Sequence, residues 1–434
     1  MSMPAVLLSK AAWCEPVHVV LFCGGSGSSP IIAELVRQFP DVQTTLVVNG
    51  FDDGKSTGAL RCLIPGMLGP SDYRKNFSRL LDFSVAKHAV ALKKILDYRL
   101  PASATVGDLA NLTCASGCNK VSSVSQGELA HLLSALPRDL RFRLQTYIAL
   151  FLQYCHCKSQ YPTLTDCSLG NLLFAGAYLA SGSEFNACVK MFVSLCPVGA
   201  EIVNVSRGEC RVLTALKEDG TLLCSEAEIV SPQGQSRILD VFLLPRTLSS
   251  DQIAELEPLA VSEKHLRLKS LQAQAHISPE AEVALRNADL IVYGPGTQFS
   301  SLFPSYRVLG VTDGIRHSGA CAKVFVANLE VDHDIQTLSL TELIDKALQM
   351  MNDSCNESGL ITHVLYNQAS ALRQRGLKWF NTGLATAYKN AQIISGDFES
   401  PATPTVHSGL PVVTKLLELR LASARSTTLR SVEK

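Results

Sequence analysis

The amino-acid sequence predicts an α/β fold built on a mostly parallel sheet. Two apolar segments, residues 17–23 and 288–293, each break abruptly into a glycine-rich turn that is followed by a helical pattern. Further apolar segments alternate with helical patterns along the chain, at residues 44–48, 323–329 and 362–367. Such alternation of short buried strands with helices is typical of parallel sheets whose faces are covered by helices.

The first glycine turn, residues 24–27 (GGSG), precedes a predicted helix over residues 31–38, with Ser29 as its N-cap and Pro30 at its first position. This pattern indicates an anion site, because glycines let backbone N–H groups approach a phosphate and a helix N-terminus adds positive partial charge. The second turn, residues 294–297 (GPGT), has the same context. Two such turns at one sheet edge would hold a diphosphate or a nucleotide from both sides.

A polar stretch follows the strand at residues 44–48 and includes Asp52, Asp53, Lys55 and Ser56. The carboxyl ends of parallel strands bind ligands in open α/β sheets, so we expect these side chains near the same edge. Adjacent residues in an extended segment point in opposite directions, and we expect Asp53 to be the carboxylate that faces a ligand.

The length and composition favour a protein that binds a small molecule. With 434 residues, one large domain with an insert or two domains are expected. The 39 basic and 39 acidic residues balance, which argues against nucleic-acid binding and polybasic membrane attachment. We find no signal-peptide pattern and no apolar stretch of ~18 residues, so a cytoplasmic protein is expected.

The 14 cysteines are expected to be thiols in a reducing compartment. The tightest clusters, Cys114 with Cys118 and Cys155 with Cys157, lack zinc-ribbon spacing. We therefore interpret them as small packing residues and not as a metal site.

Two other interpretations of the glycine turns stay open. A dinucleotide fingerprint requires a third glycine and an acidic residue ~20 positions later, and the first turn fits this pattern poorly. Residues 54–56 (GKS) are similar to the end of a P-loop, although the first P-loop glycine would fall on Asn49. The P-loop hypothesis predicts ATP hydrolysis that is lost on Lys55→Ala.

Several motifs, in order, resemble the 2-phospho-L-lactate transferase family, including its branch of gluconeogenesis factors that bind nucleotide sugars. The motifs are GGSG at 24–27, VNGFDDGKSTG at 48–58, PSDYRKN at 70–76, SLGNLL at 168–173 and GPGTQFSS at 294–301. Asn328 and Asn367 end two strands, as in the family. The chain departs from the family's pattern at Lys55, Ser71, Lys75, Cys167 and Phe299.

The resemblance covers about residues 17–367 and implies a Rossmann-like three-layer sandwich with a mostly parallel sheet. Within this domain, leucine spacing predicts a helical insert over about residues 77–160, and alternating residues predict a small antiparallel β excursion over about 200–244. Residues 1–16 are expected to be an N-terminal extension. Residues 368–434 are expected to form a C-terminal helical extension with a frayed tail.

The resemblance implies a transferase that moves a phosphoester-linked group from a nucleotide diphosphate ester to a hydroxyl acceptor. The alternative that it implies is a non-catalytic regulator of carbon metabolism or the cell envelope that binds a nucleotide sugar. In either case the expected ligand is a nucleotide or a UDP-sugar, with no nucleic acid and no membrane as partner. A homodimer is compatible with the sequence.

The candidate catalytic residues are Asp53, Asp52 and Arg74, and Asp53 is also the candidate ligand for Mg²⁺. The candidate residues for nucleotide and phosphate binding are Gly24, Gly25, Ser26, Gly27, Lys55, Ser56, Asp72, Gly170, Asn171, Gly294, Gly296, Thr297 and Asn328.

Overall fold

An eight-stranded sheet organises one of the two compact units into which the chain divides. This sheet unit comprises residues 1–49, 199–207 and 211–434, and the helical unit comprises residues 50–198 and 208–210. The structure is a computed structural model that describes residues 16–82, 86–113, 124–232, 234, 236–330, 332–335, 338–367 and 387–432.

The strands confirm the predicted mostly parallel sheet. In chain order they are β1 (Val17–Phe22), β2 (Val42–Val48), β3 (Glu201–Asn204), β4 (Val212–Lys217), β5 (Leu222–Leu223), β6 (Ile238–Leu244), β7 (Leu290–Tyr293), β8 (Ala322–Val326), β9 (His363–Asn367), β10 (Ala387–Tyr388) and β11 (Ala391–Gly396). The large sheet has the order β10-β11-β9-β8-β7-β1-β2-β3, and β10 alone pairs antiparallel to its neighbour. A second sheet, β5-β4-β6, is antiparallel.

The strand order reverses beside β1. From β1 the chain passes through helix α1 (Ser29–Gln38) to β2 on one side, whereas β7 pairs with the other side of β1. Such a reversal leaves a crevice at the carboxyl ends of the two central strands, where open α/β sheets bind ligands. Both glycine turns follow the strands that flank this reversal.

The helical unit lies between β2 and β3 in the sequence. Its helices are α2 (Lys55–Leu63), α3 (Ser71–Leu80), α4 (Ala89–Asp97), α5 (Val106–Asn111), α6 (Val124–Ser134), α7 (Arg138–Lys158), α8 (Leu169–Ala180) and α9 (Phe185–Val193). The predicted insert at about 77–160 is too short, because helices of this unit extend from residue 55 to residue 193. Helices α7 and α8 approach closely, since a Cβ on Gly176 would lie 1.9 Å from the Tyr147 carbonyl oxygen.

The remaining helices belong to the sheet unit and complete its outer layers. They are α10 (Glu226–Ile229), α11 (Ser250–Leu256), α12 (Val261–Leu271), α13 (Pro279–Asn287), α14 (Phe303–Tyr306), α15 (Val311–Arg316), α16 (Leu340–Met350) and α17 (Gly409–Val432), with a π-helical turn at Gln298–Leu302. In the part of the chain that the structure describes, no helix combines the length and apolar character needed to cross a membrane.

Two predicted boundaries need correction. The β excursion was expected to start near residue 200, but β3 pairs in parallel with β2 and belongs to the large sheet. The antiparallel part is therefore β4–β6. The C-terminal extension was expected to be helical, but β10 and β11 add two strands to the sheet because β11 pairs with β9.

Helix α17 is an integral layer of the sheet unit. It packs on α1 and contacts β8, and its side chains Val412, Val413, Leu416 and Leu417 are fully buried. The two helices touch at their first turns, since a Cβ on Gly409 would lie 2.3 Å from the Pro30 carbonyl oxygen. The helix extends to Val432.

We expect Leu416→Ala to lower the free energy of unfolding by about 2–5 kcal/mol, because it leaves a cavity between α17 and its neighbours. Leu410 lies on the same helix with 42% of its surface exposed, and Leu410→Ala should change stability by less than about 0.5 kcal/mol. Urea denaturation followed by circular dichroism measures both variants. Equal effects would contradict a buried interface for α17.

Candidate functional site

The two glycine turns are in direct contact. A Cβ on Gly27 would lie 2.4 Å from the Pro295 carbonyl oxygen, and a Cβ on Gly294 would lie 2.2 Å from the Ser28 hydroxyl oxygen. Real Cβ atoms do not approach other atoms this closely, so both positions require glycine. The Ser28 hydroxyl donates a hydrogen bond to the Pro295 carbonyl oxygen at 3.2 Å and joins the two turns.

Aromatic side chains pack together at the ends of the two strands that precede the turns. The rings of Phe22 and Tyr293, the last residues of β1 and β7, stack with 5.8 Å between their centroids. Tyr306 packs edge-on against both rings, at 5.6 Å and 5.5 Å. All three side chains are buried, and the Tyr293 hydroxyl donates to the Leu360 carbonyl oxygen at 2.6 Å. This rigid base fixes the position from which each turn leaves its strand.

The first turn differs from the sequence prediction at its cap. Helix α1 begins at Ser29, and Ser28 occupies the N-cap position that was predicted for Ser29. The Ser28 side chain makes no capping bond, because its hydroxyl is used to hold Pro295. Ser26 and Gly27 are exposed at the apex of the turn, whereas Gly24 and Gly25 are buried. The apex is therefore the solvent-accessible part of this turn.

Asn328 holds the second turn on both sides of Gly296. Its side-chain amide donates to the Gly296 carbonyl oxygen at 2.8 Å, and its side-chain oxygen accepts from the Gly296 N–H at 3.3 Å. The same oxygen accepts from the Gln298 side chain at 3.0 Å. The Gly296 N–H, which we predicted as a phosphate donor, is thus engaged by Asn328 in the structure. Thr297 exchanges a hydrogen bond with the Ser301 hydroxyl at 2.9 Å.

Two residues that sequence reasoning missed fix the π-helical turn after the second glycine turn. The Asp334 carboxylate accepts from the Phe299 N–H at 2.8 Å, and burial raises the pKa of this carboxyl to about 7. Asn49, at the end of β2, donates to the Ser301 carbonyl oxygen. Nothing in the spacing of Asp334 distinguishes it from its acidic neighbours, so only the folded chain identifies it.

In the helical unit, a hydrogen-bonded network joins three of the sequence motifs. The hydroxyl groups of Thr57 and Ser71 are 2.7 Å apart, and the Asn171 amide donates to Ser71 at 3.2 Å. Arg74 Nε donates to the Asn171 side-chain oxygen at 3.2 Å, and Arg74 Nη1 donates to Asp97 at 2.8 Å. The predicted residues Asn171 and Arg74 are therefore brought together.

Arg74 is placed for a structural role more than for the catalytic one we predicted. Its side chain is buried, and burial lowers its pKa while the charge of Asp97 opposes that change. A Cβ on Gly170 would lie 2.6 Å from Arg74 Cδ. Gly170, predicted as an anion contact, thus makes room for the arginine side chain.

The aspartate motif of the helical unit forms a tight turn into α2. Asp52 Oδ1 accepts from the Gly54 N–H at 2.7 Å, and a Cβ on Gly58 would lie 2.1 Å from the Asp53 carbonyl oxygen. Arg61 donates to the Asp52 carbonyl oxygen at 2.9 Å. One oxygen of the Asp52 side chain is therefore committed to the turn itself.

The remaining predicted residues of this unit lie on helices α2 and α3. Lys55 and Ser56 are the first residues of α2, and the Ser56 hydroxyl is hydrogen-bonded to the Cys167 thiol. Burial raises the pKa of Cys167 to about 11, so this thiol stays protonated at neutral pH. Asp72 lies in the first turn of α3 and pairs with Lys75 at 3.3 Å.

The described residues contain no group of three or more His, Cys, Asp or Glu side chains arranged to hold a metal ion. Of the cysteine clusters, Cys114 and Cys118 lie outside the described residues. Cys155 is buried in α7, where burial raises its pKa to about 11, and Cys157 is exposed. A Mg²⁺ site at Asp53 would therefore take most of its oxygen ligands from phosphate and water, which is usual for this ion.

The predicted site residues fall into two groups. One group belongs to the sheet unit and surrounds the contact between the glycine turns: Gly24, Gly25, Ser26, Gly27, Gly294, Gly296, Thr297 and Asn328. The other group belongs to the helical unit: Asp52, Asp53, Lys55, Ser56, Asp72, Arg74, Gly170 and Asn171.

We expect Gly27→Ala to lower the free energy of unfolding by about 1–3 kcal/mol, because the added Cβ overlaps the Pro295 carbonyl group. The matched control is Gly319→Ala, whose Cβ would meet no atom within 4 Å. Urea denaturation of both variants measures the difference. Equal stability of the two variants would contradict the close approach of the turns.

We expect Asp334→Asn to change how stability depends on pH. The pKa of Asp334 in the folded protein is about 7, above its ordinary value of 3.8, so the folded state binds the proton more tightly. Wild-type stability should therefore fall as pH rises from about 4 to about 7, by at most ~1.4 kcal/mol per pH unit. The variant should lose this decline in urea titrations at pH 5 and pH 7.5, and parallel profiles would refute the assignment.

Two comparisons with known sequences bear on this site. The family model described as "2-phospho-L-lactate transferase CofD" matches residues 19–397. A relative named "Gluconeogenesis factor" from Halalkalibacterium halodurans is 26% identical over 312 residues, which are 72% of this chain and 66% of the relative. A "Putative gluconeogenesis factor" from Thermotoga maritima is 24% identical over 313 residues, or 72% of this chain and 68% of the relative. The chain thus spans about two thirds of the length of these relatives.

Solved structures share the fold. The crystal structure of protein BH3568 from Bacillus halodurans superposes with a TM-score of 0.61 and 21% sequence identity, over 93% of this chain and all of that one. A second structure, described as a member of the UPF0052 family from the same organism, gives a TM-score of 0.59 at 18% identity and covers 92% of this chain and 99% of that one. With the family match extending from β1 to the end of β11, the chain belongs to the 2-phospho-L-lactate transferase CofD family.

Proposed function

We propose that this protein binds a nucleotide diphosphate ester or nucleotide sugar at the carboxyl edge of its large sheet and transfers a phosphoester-linked group to a hydroxyl acceptor. The acceptor oxygen would form a bond to phosphorus as the diphosphate P–O–P linkage breaks, and the nucleoside monophosphate would leave. The observation that carries the proposal is the contact between the two glycine turns at the point where strand order reverses. Ligands of open α/β sheets bind at this point, and glycine turns that lead into helices suit phosphates.

The electrostatics of the first turn support phosphate binding. Helix α1 has no acidic residue in its first turn, so this turn places no negative charge at the positive end of the helix dipole. Ser26 and Gly27 are exposed just before this helix. We propose that one phosphate lies against this apex and that the second phosphate lies toward Thr297.

For the transfer step, we propose Asp53 as the residue that orients the attacking hydroxyl or holds a divalent cation. A bound Mg²⁺ would supply positive charge against the phosphates.

The second candidate function is a nucleotide-sugar-binding regulator of carbon metabolism or the cell envelope without turnover. The names of the relatives, both gluconeogenesis factors, favour it. Two features of the helical unit also favour it. The charge of Arg74 is already paired with Asp97, and the Cys167 thiol is protonated and therefore not a nucleophile or base.

We expect a UDP-sugar or a guanosine nucleotide to raise the melting temperature, and a thermal-shift panel of UDP-glucose, UDP, GDP, GTP and ATP tests this. A ligand at ~100 times its dissociation constant adds about 2.7 kcal/mol of stability. A panel without any shift would argue against both candidate functions. A shift with ATP alone would favour the P-loop hypothesis.

The nucleotide that binds is then incubated with Mg²⁺ and candidate hydroxyl acceptors, with wild-type protein and with Asp53→Asn. The transferase hypothesis expects turnover by the wild type, and binding without turnover by the variant. Turnover by the variant at the wild-type rate would remove Asp53 from the mechanism. Binding by the wild type with no turnover on any acceptor would favour the regulator.

A further inference from the structure

Asp240 is a buried carboxylate that the proposed chemistry leaves unused. It lies in β6 of the antiparallel sheet, with 4% of its surface exposed. Its Oδ2 lies 2.9 Å from Nε2 of His265 in α12, and its Oδ1 accepts a hydrogen bond from Arg307 Nη2. A buried carboxylate lowers stability unless it is paired and hydrogen-bonded, so the position of Asp240 depends on these two partners.

Arg307 links the antiparallel sheet to the helix that follows the second glycine turn. It is the C-cap residue of α14, and 16% of its side chain is exposed. Besides its bond to Asp240, it donates from Nε to Met350 Sδ at 3.2 Å. Lys346 also reaches β6, but its ammonium group donates to the Leu239 carbonyl oxygen at 2.7 Å. The charge of Asp240 is therefore paired with Arg307.

The helix that ends at Arg307 is held in place by its neighbours. With four residues, α14 is too short to be stable through its own hydrogen bonds. Its position is therefore set by the side chains that pack around it. It contacts β6 directly, and the ion pair between Arg307 and Asp240 fixes its C-terminal end to that strand.

Tyr306 connects the position of α14 to the strands that lead into both glycine turns. Its buried ring packs edge-on against Phe22 and Tyr293, which are the last residues of those strands. Because packed interiors transmit strain, a shift of α14 would displace this ring against both strand ends.

Ser305 connects α14 to the second turn through hydrogen bonds. Its hydroxyl oxygen accepts from Asn49 Nδ2 at 3.5 Å, and the same nitrogen donates to the Ser301 carbonyl oxygen. The Ser301 hydroxyl exchanges a hydrogen bond with Thr297 at 2.9 Å. Thr297 is the proposed contact of the second phosphate, so a continuous set of contacts leads from Asp240 to that position.

We propose that Asp240 is a positioning residue of the nucleotide site. By pairing with Arg307 it fixes α14, and α14 in turn holds the second glycine turn in the geometry that receives a phosphate. This inference rests on the proposed function, since it takes Thr297 as a phosphate contact. It gives the antiparallel sheet, whose strands carry none of the predicted site residues, a role in ligand binding.

Hydrogen exchange without any ligand is the first test, with Asp240→Asn as the variant, which keeps the size of the side chain and removes its charge. We expect amides of residues 298–307 to exchange about fivefold faster or more, at times when β2 is still protected. The control is Leu256→Ala, which removes packing from the core of the antiparallel sheet and leaves the ion pair in place. Its rates in residues 298–307 should stay within about twofold of the wild type.

Wild-type exchange of residues 298–307 in Asp240→Asn, or equal acceleration in both variants, overturns the inference. Arg307→Met removes the same ion pair from the other side and should give the same acceleration. It therefore decides the question even if Asp240→Asn does not fold.

Binding of UDP-glucose is the second test. We expect the dissociation constant to rise about fivefold in Asp240→Asn and in Arg307→Met, as for one lost hydrogen bond, and to stay within about twofold in Leu256→Ala. If Asp240 acts through Arg307, the double variant binds no more weakly than Arg307→Met alone. Effects that multiply in the double variant, or wild-type affinity in Asp240→Asn, overturn the inference.

A different result separates this inference from the proposed function. A wild-type protein that binds neither UDP-glucose nor another nucleotide of the panel refutes the proposed function, and the role of Asp240 in ligand binding falls with it. The exchange experiment needs no ligand, so it still decides whether Asp240 fixes the second turn.

Discussion

The close approach of two backbone turns is the constraint on which the sheet unit depends. Gly27 and Gly294 allow it, because any side chain at either position would overlap the opposite turn. The contact brings two helix-forming segments to one place at the sheet edge, where the strand order reverses. Stacked aromatic rings beneath the turns and the asparagines at the ends of neighbouring strands keep this geometry rigid. An anion site needs such preorganised backbone, because flexible N–H groups would have to be ordered at each binding event.

The helical unit shows that a residue in a family motif is not always placed for chemistry. Arg74 belongs to the motif at residues 70–76, yet its guanidinium lies between Asn171 and Asp97. Burying an arginine side chain is favourable only when its N–H donors have acceptors, and here Asn171 and Asp97 supply them. The hydrogen-bonded motif residues of this unit therefore hold three segments of chain together.

The C-terminal segment is part of the architecture and not an appendage. Strand β11 extends the sheet. Residues 397–408 then contact the ends of β9 and β8, and α17 contacts β8 and packs on α1. Arg420 of α17 pairs with Asp289 at the start of β7, which fixes the direction of the helix across the sheet. A layer of an α/β sandwich must be complete to bury its strands, and here the last helix of the chain completes it.

The parallel sheet and the two glycine turns could be predicted from the sequence, because runs of apolar residues and the conformational freedom of glycine are local properties. The hydrogen-bond partners of the polar residues could not be predicted, because they depend on tertiary contacts. Asn328 is hydrogen-bonded to Gly296, Arg74 forms an ion pair with Asp97, and Asp334 is buried beside the second turn. Each of these arrangements depends on residues brought together from distant parts of the chain. Hydrogen bonds of this kind leave no periodic pattern in a sequence, and only the folded chain reveals them.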